Sequence, residues 1–307
     1  MNNDTKNSHL VSVVITTYNR ASVLEPCLDS ILGQNYNNFE VIVVDDCSSD
    51  STSEIFKKEK YKNITYIRHE KNQGVQNASN TGYSYVKGEY LAFTGDDDIW
   101  IDKDKISKQV QVFENDKDLE YGVVTCDVNL VSSKGKVKKG IKRPKNLVRH
   151  ILNSNGIIYG SAALLRRAAF EMCGKFAPEL PKGTDSDVYR RIILLGYNVY
   201  FSDEVMVDYM DEASDKMTNL NLKGIDRSIV ANRYKLTRYQ FILGQYPSVK
   251  SNINYNLGNY YFLKYQLNKS YTALILSKKH YKMSYLNNWF NLRALLKFMR
   301  ISFTVLR

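Results

Sequence analysis

The chain predicts an α/β fold, a mostly parallel sheet flanked by helices, with a helical extension after about residue 222. Three observations carry this. Apolar runs rich in β-branched residues alternate with apolar stripes at helical spacing through the first half, the order that joins parallel strands by crossover helices. The tails of three such runs carry polar clusters: Thr17-Tyr18-Asn19-Arg20, Asp45-Asp46 and Gly95-Asp96-Asp97-Asp98. Beyond about Lys223 the pattern becomes wholly helical and rich in Tyr, Asn and Lys.

Val11-Ser12-Val13-Val14-Ile15 reads as a buried strand. Ser22 and Glu25 form a capping-box pattern, and Leu24, Leu28, Ile31 and Leu32 recur at helical spacing before Gly33. Phe39 to Val44 is the second strand, after which Ser51 and Glu54 repeat the capping pattern. Ile64 to Ile67 is a short third strand, and Gln76 to Val86 a helix. Tyr90 to Phe93 leads into the three aspartates; Ile106, Val110 and Phe113 then share one helical stripe, and Tyr121 to Val128 is another strand.

From Lys134 to Arg149 eight lysines and arginines form a basic run. It reads either as a solvated loop or as a lip that meets phosphates or an anionic membrane. Gly160 to Leu165 is a buried segment, followed by a helix through Met172 that stops at Gly174. Gly183-Thr184-Asp185-Ser186-Asp187 opens a helix whose apolar side holds Val188, Ile192 and Leu195. Asp185 either caps that helix or aims a carboxylate into a cleft. Tyr255 to Tyr261 and Tyr271 to Lys279 read as an antiparallel helix pair. Trp289 to Arg307 mixes aromatics, leucines and arginines, as interfacial helices and ordinary packed ones both do.

With 307 residues and 43% hydrophobic content, the chain can bury a substantial core. Its formal charge of +11, with the excess in the second half, favours anionic partners such as nucleotides, lipid headgroups or nucleic acid. No zinc spacing, aromatic RNA-binding signature or helix-turn-helix pattern supports nucleic acid. Cys27, Cys47, Cys126 and Cys173 are far apart with no CxxC pair, which fits a reducing cytoplasm. Met1 to His9 lacks a signal-peptide core, and no run reaches the roughly 18 uncharged apolar residues of a membrane span. A soluble or peripheral protein is expected.

The aspartate cluster is the chain's most telling chemistry. Three adjacent carboxylates repel one another unless a cation or strong donors sit among them. Oxygen-only ligands suit Mg²⁺ or Mn²⁺, which share their shell with substrate phosphates. A solvated acidic turn is the plainer reading. In parallel sheets, however, ligands bind outside the carboxyl ends of the strands, where all three polar clusters converge.

Together these segments resemble the family 2 glycosyltransferases of the GT-A fold. The residues that carry the likeness are Val11 to Arg20, Ser30-Ile31-Leu32-Gly33-Gln34, Val43 to Asp50, Asn72-Gln73-Gly74, Asn80-Thr81-Gly82, Gly88-Glu89-Tyr90 and the aspartates with Trp100. The resemblance runs from Val11 to about Met210. It implies a Rossmann-like GT-A domain over residues 1–222 and a helical region over 223–307. It implies an inverting, metal-dependent transferase moving a hexosyl or N-acetylhexosaminyl group from a UDP-sugar to a hydroxyl of a saccharide acceptor, lipid-linked, in bacterial surface polysaccharide synthesis. Mn²⁺ or Mg²⁺ would be held by Asp97. Thr17, Tyr18, Asn19, Arg20, Asp46, Asn72, Gly74, Asn80 and Asp96 would bind the nucleotide, with Asp46 accepting the N3–H of uracil. Asp185 would be the general base, with Asp98 and Asp187 in secondary places. The implied location is the cytoplasm, peripheral on the inner face of the membrane, against an anionic surface and without nucleic acid.

Three departures stand out. Gly95 replaces the first aspartate of the Asp-x-Asp-Asp pattern, Ser79 stands where an arginine commonly precedes Asn80, and Tyr209-Met210 stands where an Arg and a His are frequent. No histidine ligand is therefore expected. These departures leave a second reading, an inactive scaffold of the same fold that recruits partners.

Overall fold

The computed structural model describes residues 9–140, 143–153, 158–210, 221–288 and 291–305. Lys142 of the basic run, and Trp289 and Arg307 at the ends of the expected interfacial segment, lie outside them.

Strand β1 (Val11–Thr17) is buried along almost its whole length, and α1 (Ala21–Leu32) packs Leu24, Cys27, Leu28 and Ile31 onto one face of the sheet. Strand β2 (Phe39–Asp45), the one-turn helix α2 (Thr52–Ile55), β3 (Thr65–Arg68), α3 (Val75–Tyr83) and β4 (Tyr90–Thr94) complete a parallel block ordered β3-β2-β1-β4. Helix α3 covers the other face, where Ala78 meets Val14, Ile42 and Val44. Gly82 permits that approach, because a Cβ there would stand 2.5 Å from Val14 Cγ1.

Neither expected capping box forms. Helix α1 starts at Ala21, and neither Arg20 before α1 nor Ser51 before α2 makes a side-chain cap bond. Asp50 serves both helices instead: Oδ2 accepts from the Ala21 amide at 3.0 Å and Oδ1 from the Thr52 amide at 3.1 Å. For α1 this carboxylate comes from the segment after β2, and for α2 it is the residue just before Ser51; in both it takes the orphan amide in place of a serine.

The chain continues through β5 (Ile99–Trp100), α4 (Lys105–Asn115), β6 (Tyr121–Ser132), β7 (Gly135–Lys139), α5 (Leu147–Asn153), β8 (Leu164–Arg166), α6 (Arg167–Met172), α7 (Thr184–Leu194) and β9 (Asn198–Met210). Strand β8 is antiparallel to both β4 and β6, β6 is parallel to β9, and the order becomes β3-β2-β1-β4-β8-β6-β9-β5. The loop reading of the basic run is corrected. Gly135–Lys139 pairs antiparallel with β6, a hairpin whose five strand residues are all exposed. Its Ser133-Lys134 turn leads into Gly135 at φ 117°, where glycine is favoured. Leu195 is likewise corrected: it lies outside α7 and is 47% exposed, while Val188, Tyr189, Ile192 and Ile193 form the buried side.

Among the described residues the chain divides into two compact units. One takes the chain up to Val148 with Gly156–Pro178 and Thr184–Asp211; the other takes Arg149–Asn155, Glu179–Gly183 and the chain from Glu212 onward. The second holds α8 (Leu222–Arg238), α9 (Gln240–Gly244), α10 (Pro247–Asn268), α11 (Tyr271–Asn287) and α12 (Leu292–Val305). Ile225 and Ile229 of α8, Leu257 and Tyr261 of α10 and Ala273 of α11 share its core. Two residues join α10 to α11: Lys269 in the left-handed region and Ser270, whose hydroxyl caps the Ala273 amide. So short a connection makes the helices an antiparallel pair.

Candidate active site

Register brings the polar strand tails together. Thr17 lies opposite Asp45, and Ile15 opposite Thr94, so the segments that follow β1, β2 and β4 leave the sheet at one rim. Asn19, at φ 54°, buttresses the first two: its amide donates to Ser48 Oγ at 2.8 Å, and its Oδ1 accepts from the Ser49 amide at 2.7 Å. Tyr18 is 47% exposed at the rim.

Arg20 reaches from the first tail to the third. Its Nε lies 3.1 Å from Asp96 Oδ1, and its Nη2 donates to Asp97 Oδ2 at 2.5 Å. The Thr17 hydroxyl and Arg20 Nε are buried without an in-line hydrogen-bond acceptor, although both lie against Asp96. Burial pushes the Asp96 carboxyl up to about 6, with Thr17 and Arg20 opposing the rise and the Asp97 charge adding to it. Burial also pushes Asp98 up to about 7 against the donors Ser161 and Met210, with the Asp97 and Asp96 charges adding. Cys27 beneath the cluster is raised by burial first, then by the three carboxylates.

Asp98 is a staple rather than a rim group. Its Oδ2 accepts from the Ser161 hydroxyl and its Oδ1 from the Met210 amide at 3.0 Å. Ser161 Oγ in turn accepts from the Gly95 amide at 3.2 Å. The glycine at 95 has a steric reason: a Cβ there would stand 3.0 Å from Asp97 Oδ1 and 3.1 Å from Asp98 Oδ2. An aspartate at this place would crowd both carboxylates.

Asp185 opens α7 beside this loop. Its Oδ2 lies 3.6 Å from where a Gly160 Cβ would be, and Oδ1 accepts from the Ser186 amide at 2.7 Å. The residue keeps partial contact with solvent, yet the protein packed around it raises its carboxyl above the ordinary value. Asp187 is otherwise engaged. Fully buried, it meets Arg190 at 3.3 Å and Arg191 at 2.9 Å.

Two nucleotide-site expectations meet a changed picture. Asp46 is buried, its Oδ1 held by the Gln73 amide and His69 Nδ1 (each 2.8 Å) and its Oδ2 by the Gly74 amide (2.7 Å). A carboxylate has about four lone-pair sites, so little of this one is left. Asn80 clamps the Phe176 backbone, donating to its carbonyl at 3.0 Å and accepting from its amide at 3.3 Å. Asn72 is exposed. His69 and Ser161 were not singled out from sequence; a lone histidine and a serine 63 positions from its partner leave no readable spacing.

No group of three His, Cys, Asp or Glu side chains among the described residues makes a metal cage. Mg²⁺ and Mn²⁺ do not need one, since one carboxylate plus substrate phosphates suffices. Asp97 fits: its side chain is 28% exposed against 9% for Asp96, and it adds hard oxygens where other charges already gather.

A mostly parallel sheet with an acidic loop at this rim, flanked by helices, is the GT-A glycosyltransferase arrangement. The chain belongs to Glycosyl transferase family 2, whose model matches residues 12–174. A glycosyltransferase of Rickettsia felis is 29% identical over 221 residues, 69% of this chain; the chain spans only 36% of that relative's length. The Escherichia coli UDP-Glc:alpha-D-GlcNAc-diphosphoundecaprenol beta-1,3-glucosyltransferase WfaP is 37% identical over 108 residues, 35% of this chain and 43% of that one. Among solved structures, S. aureus TarS 1-349 in complex with UDP-GlcNAc aligns with a TM-score of 0.61 at 18% identity, covering 95% of this chain and 88% of that chain. That likeness concerns the fold.

Proposed function

We propose that the protein transfers a hexosyl or N-acetylhexosaminyl group, with inversion, from a UDP-sugar to a hydroxyl of a lipid-linked saccharide in bacterial surface polysaccharide synthesis. The observation that carries this is the shared wall of Gly160 and Ser161. Gly160 abuts the Asp185 carboxylate, and Ser161 holds both Asp98 and the Gly95 amide. Two adjacent residues therefore lie next to a candidate base and a candidate diphosphate loop. WfaP, whose description names a UDP-glucose donor and a diphosphoundecaprenol-linked acceptor, and TarS, crystallised with UDP-GlcNAc, support the donor and acceptor classes.

In this reading the acceptor hydroxyl gives its proton to Asp185 as its oxygen bonds the anomeric carbon. The bond from that carbon to the β-phosphate oxygen breaks on the opposite face, and UDP leaves with the electron pair. Base assistance of this kind is typically worth ~10²–10⁴-fold, and a carboxylate raised by burial takes a proton more readily. Arg20 provides a fixed cation beside the leaving diphosphate, charge that Ser79 does not supply. Mn²⁺ or Mg²⁺, held by Asp97, would supply Lewis-acid neutralisation of that diphosphate. Asp96 serves the ribose, Thr17, Tyr18 and Asn19 the nucleoside side, and the remaining lone pair of Asp46 the uracil N3–H. Gly74 and Asn80 shape the loops around them. We keep residues 1–222 as the transferase domain and 223–307 as a helical region.

No helix among the described residues is long and apolar enough to cross a membrane. We place the protein in the cytoplasm, attached peripherally to the membrane's inner face. The test is nucleotide release from a panel of UDP-sugars with Mn²⁺, with and without saccharide acceptors. Release from one donor that collapses in Asp185→Asn is expected. No release from any nucleotide-sugar, or near-normal turnover by Asp185→Asn, would overturn the assignment. Undiminished turnover after exhaustive chelation would remove the metal.

A further inference from the structure

Charge is divided unevenly along the chain. From Leu222 to Arg307 fifteen lysines and arginines accompany a single acid, Asp226, whereas residues 1–221 carry 28 against 31. Asp226 is itself paired with Lys264 at 2.6 Å. Residues 222–307 thus carry nearly pure positive charge.

Helix α11 is apolar on two opposite sides. Ala273, Leu274, Ser277, Tyr281 and Ser284 face inward and are buried. On the far side Tyr271 is 73%, Ile275 60% and Leu286 53% exposed, with exposed Lys279 and Lys282 between them. At roughly 100° per residue these five positions fall within an arc of about 80°, a stripe about 22 Å long. A helix that simply faced water would be polar there. Helix α12, which packs on α11 through Phe298 and Ile301, adds exposed Leu296 and Met299.

We propose that this outer face of α11 lies on an anionic lipid bilayer. Tyr271, Ile275 and Leu286 enter the headgroup and acyl boundary, while Lys279 and Lys282 snorkel to anionic headgroups. Charge complementarity selects this occupant. A second copy would bring another nearly all-positive helical unit against the first. The proposal names the surface for the peripheral attachment inferred above and uses no step of the transfer reaction. A vesicle experiment reads binding alone, so its failure removes the peripheral attachment and leaves the transfer reaction standing.

The test is sedimentation of the full chain with phosphatidylcholine vesicles, with and without phosphatidylglycerol, at low and high salt. Binding to the anionic vesicles only, released by salt, is expected. Each interfacial lysine is worth roughly fivefold, so Lys279→Gln with Lys282→Gln weakens partitioning about 30-fold. Ile275→Ser with Leu286→Ser weakens it at least as much. Because these positions are exposed, both variants keep the wild-type melting temperature. In the unaltered protein, amide exchange of α11 slows on anionic vesicles. Equal binding to neutral vesicles, wild-type affinity in both double variants, or an unchanged α11 exchange rate would overturn the proposal. So would self-association that Ile275→Ser abolishes in the absence of lipid.

Discussion

Two sets of buried carboxylates share the sheet unit and meet different fates. In one set, Asp45, Asp116 and Asp187 are each supplied with donors. Tyr66 and the Ser48 amide serve Asp45; Arg166 and two backbone amides serve Asp116; two arginines serve Asp187. At the rim, Asp96 and Asp98 are buried and Asp185 is largely enclosed by protein, beyond what their donors offset, and all three carboxyls are raised. The first set holds the fold. The second bears a desolvation cost that a cation or a proton would relieve, a pattern that clusters at functional sites.

The sharpest way to break this contrast is to exchange the outcomes at Asp185 and Asp187, two residues apart on α7. Asp185→Asn should cost ~10²–10⁴-fold in turnover and leave the melting temperature close to wild type. Asp187→Ala should do the reverse in origin. It takes the carboxylate from two buried arginines, so denaturant unfolding should show a loss of about 3–5 kcal/mol. If Asp185→Asn unfolds the protein while Asp187→Ala folds normally, the division is wrong.

A third prediction uses pH. Asp98, raised to about 7, and Asp96, raised to about 6, bind protons in the folded chain well above their ordinary 3.8. Between about pH 4 and 7 the folded state therefore holds more protons than the unfolded one. Stability of the ligand-free protein should decline as pH rises through that window. Melting temperatures taken across it should fall less in Asp98→Asn than in wild type. An identical slope in both would place the pH dependence elsewhere. The smallest effect is expected at the exposed Asp50, where loss of its caps to α1 and α2 in Asp50→Ala should cost about 1 kcal/mol by denaturant titration.

What could be read from the chain follows from the range of each interaction. The runs around Val13, Val43 and Leu91 announce their strands because β-branched and apolar content is a local property, and the acidic tail at Asp96-Asp97-Asp98 announces the rim. The capping role of Asp50 is hidden because local serines match the pattern, while the acceptor for the Ala21 amide comes from 29 positions away. Ser161 and the Gly160 contact with Asp185 depend on β8 folding back between β4 and β6, which no short spacing encodes. The basic run reads as a loop by composition, yet β6 runs on to Ser132 and offers its edge, and Val137 pairs with Leu130. The loop contacts of Asp46 are hidden for the same reason: its donors at Gln73 and Gly74 lie 27 and 28 positions away.

The most direct measurement is a crystal structure of the protein with UDP and Mn²⁺. The account predicts the diphosphate and the ion against Asp97, with the open side of the site bounded by Gly160 and Asp185. Density for the nucleotide at any other surface, with Arg20 still closed on Asp96 and Asp97 and the rim empty, would contradict it.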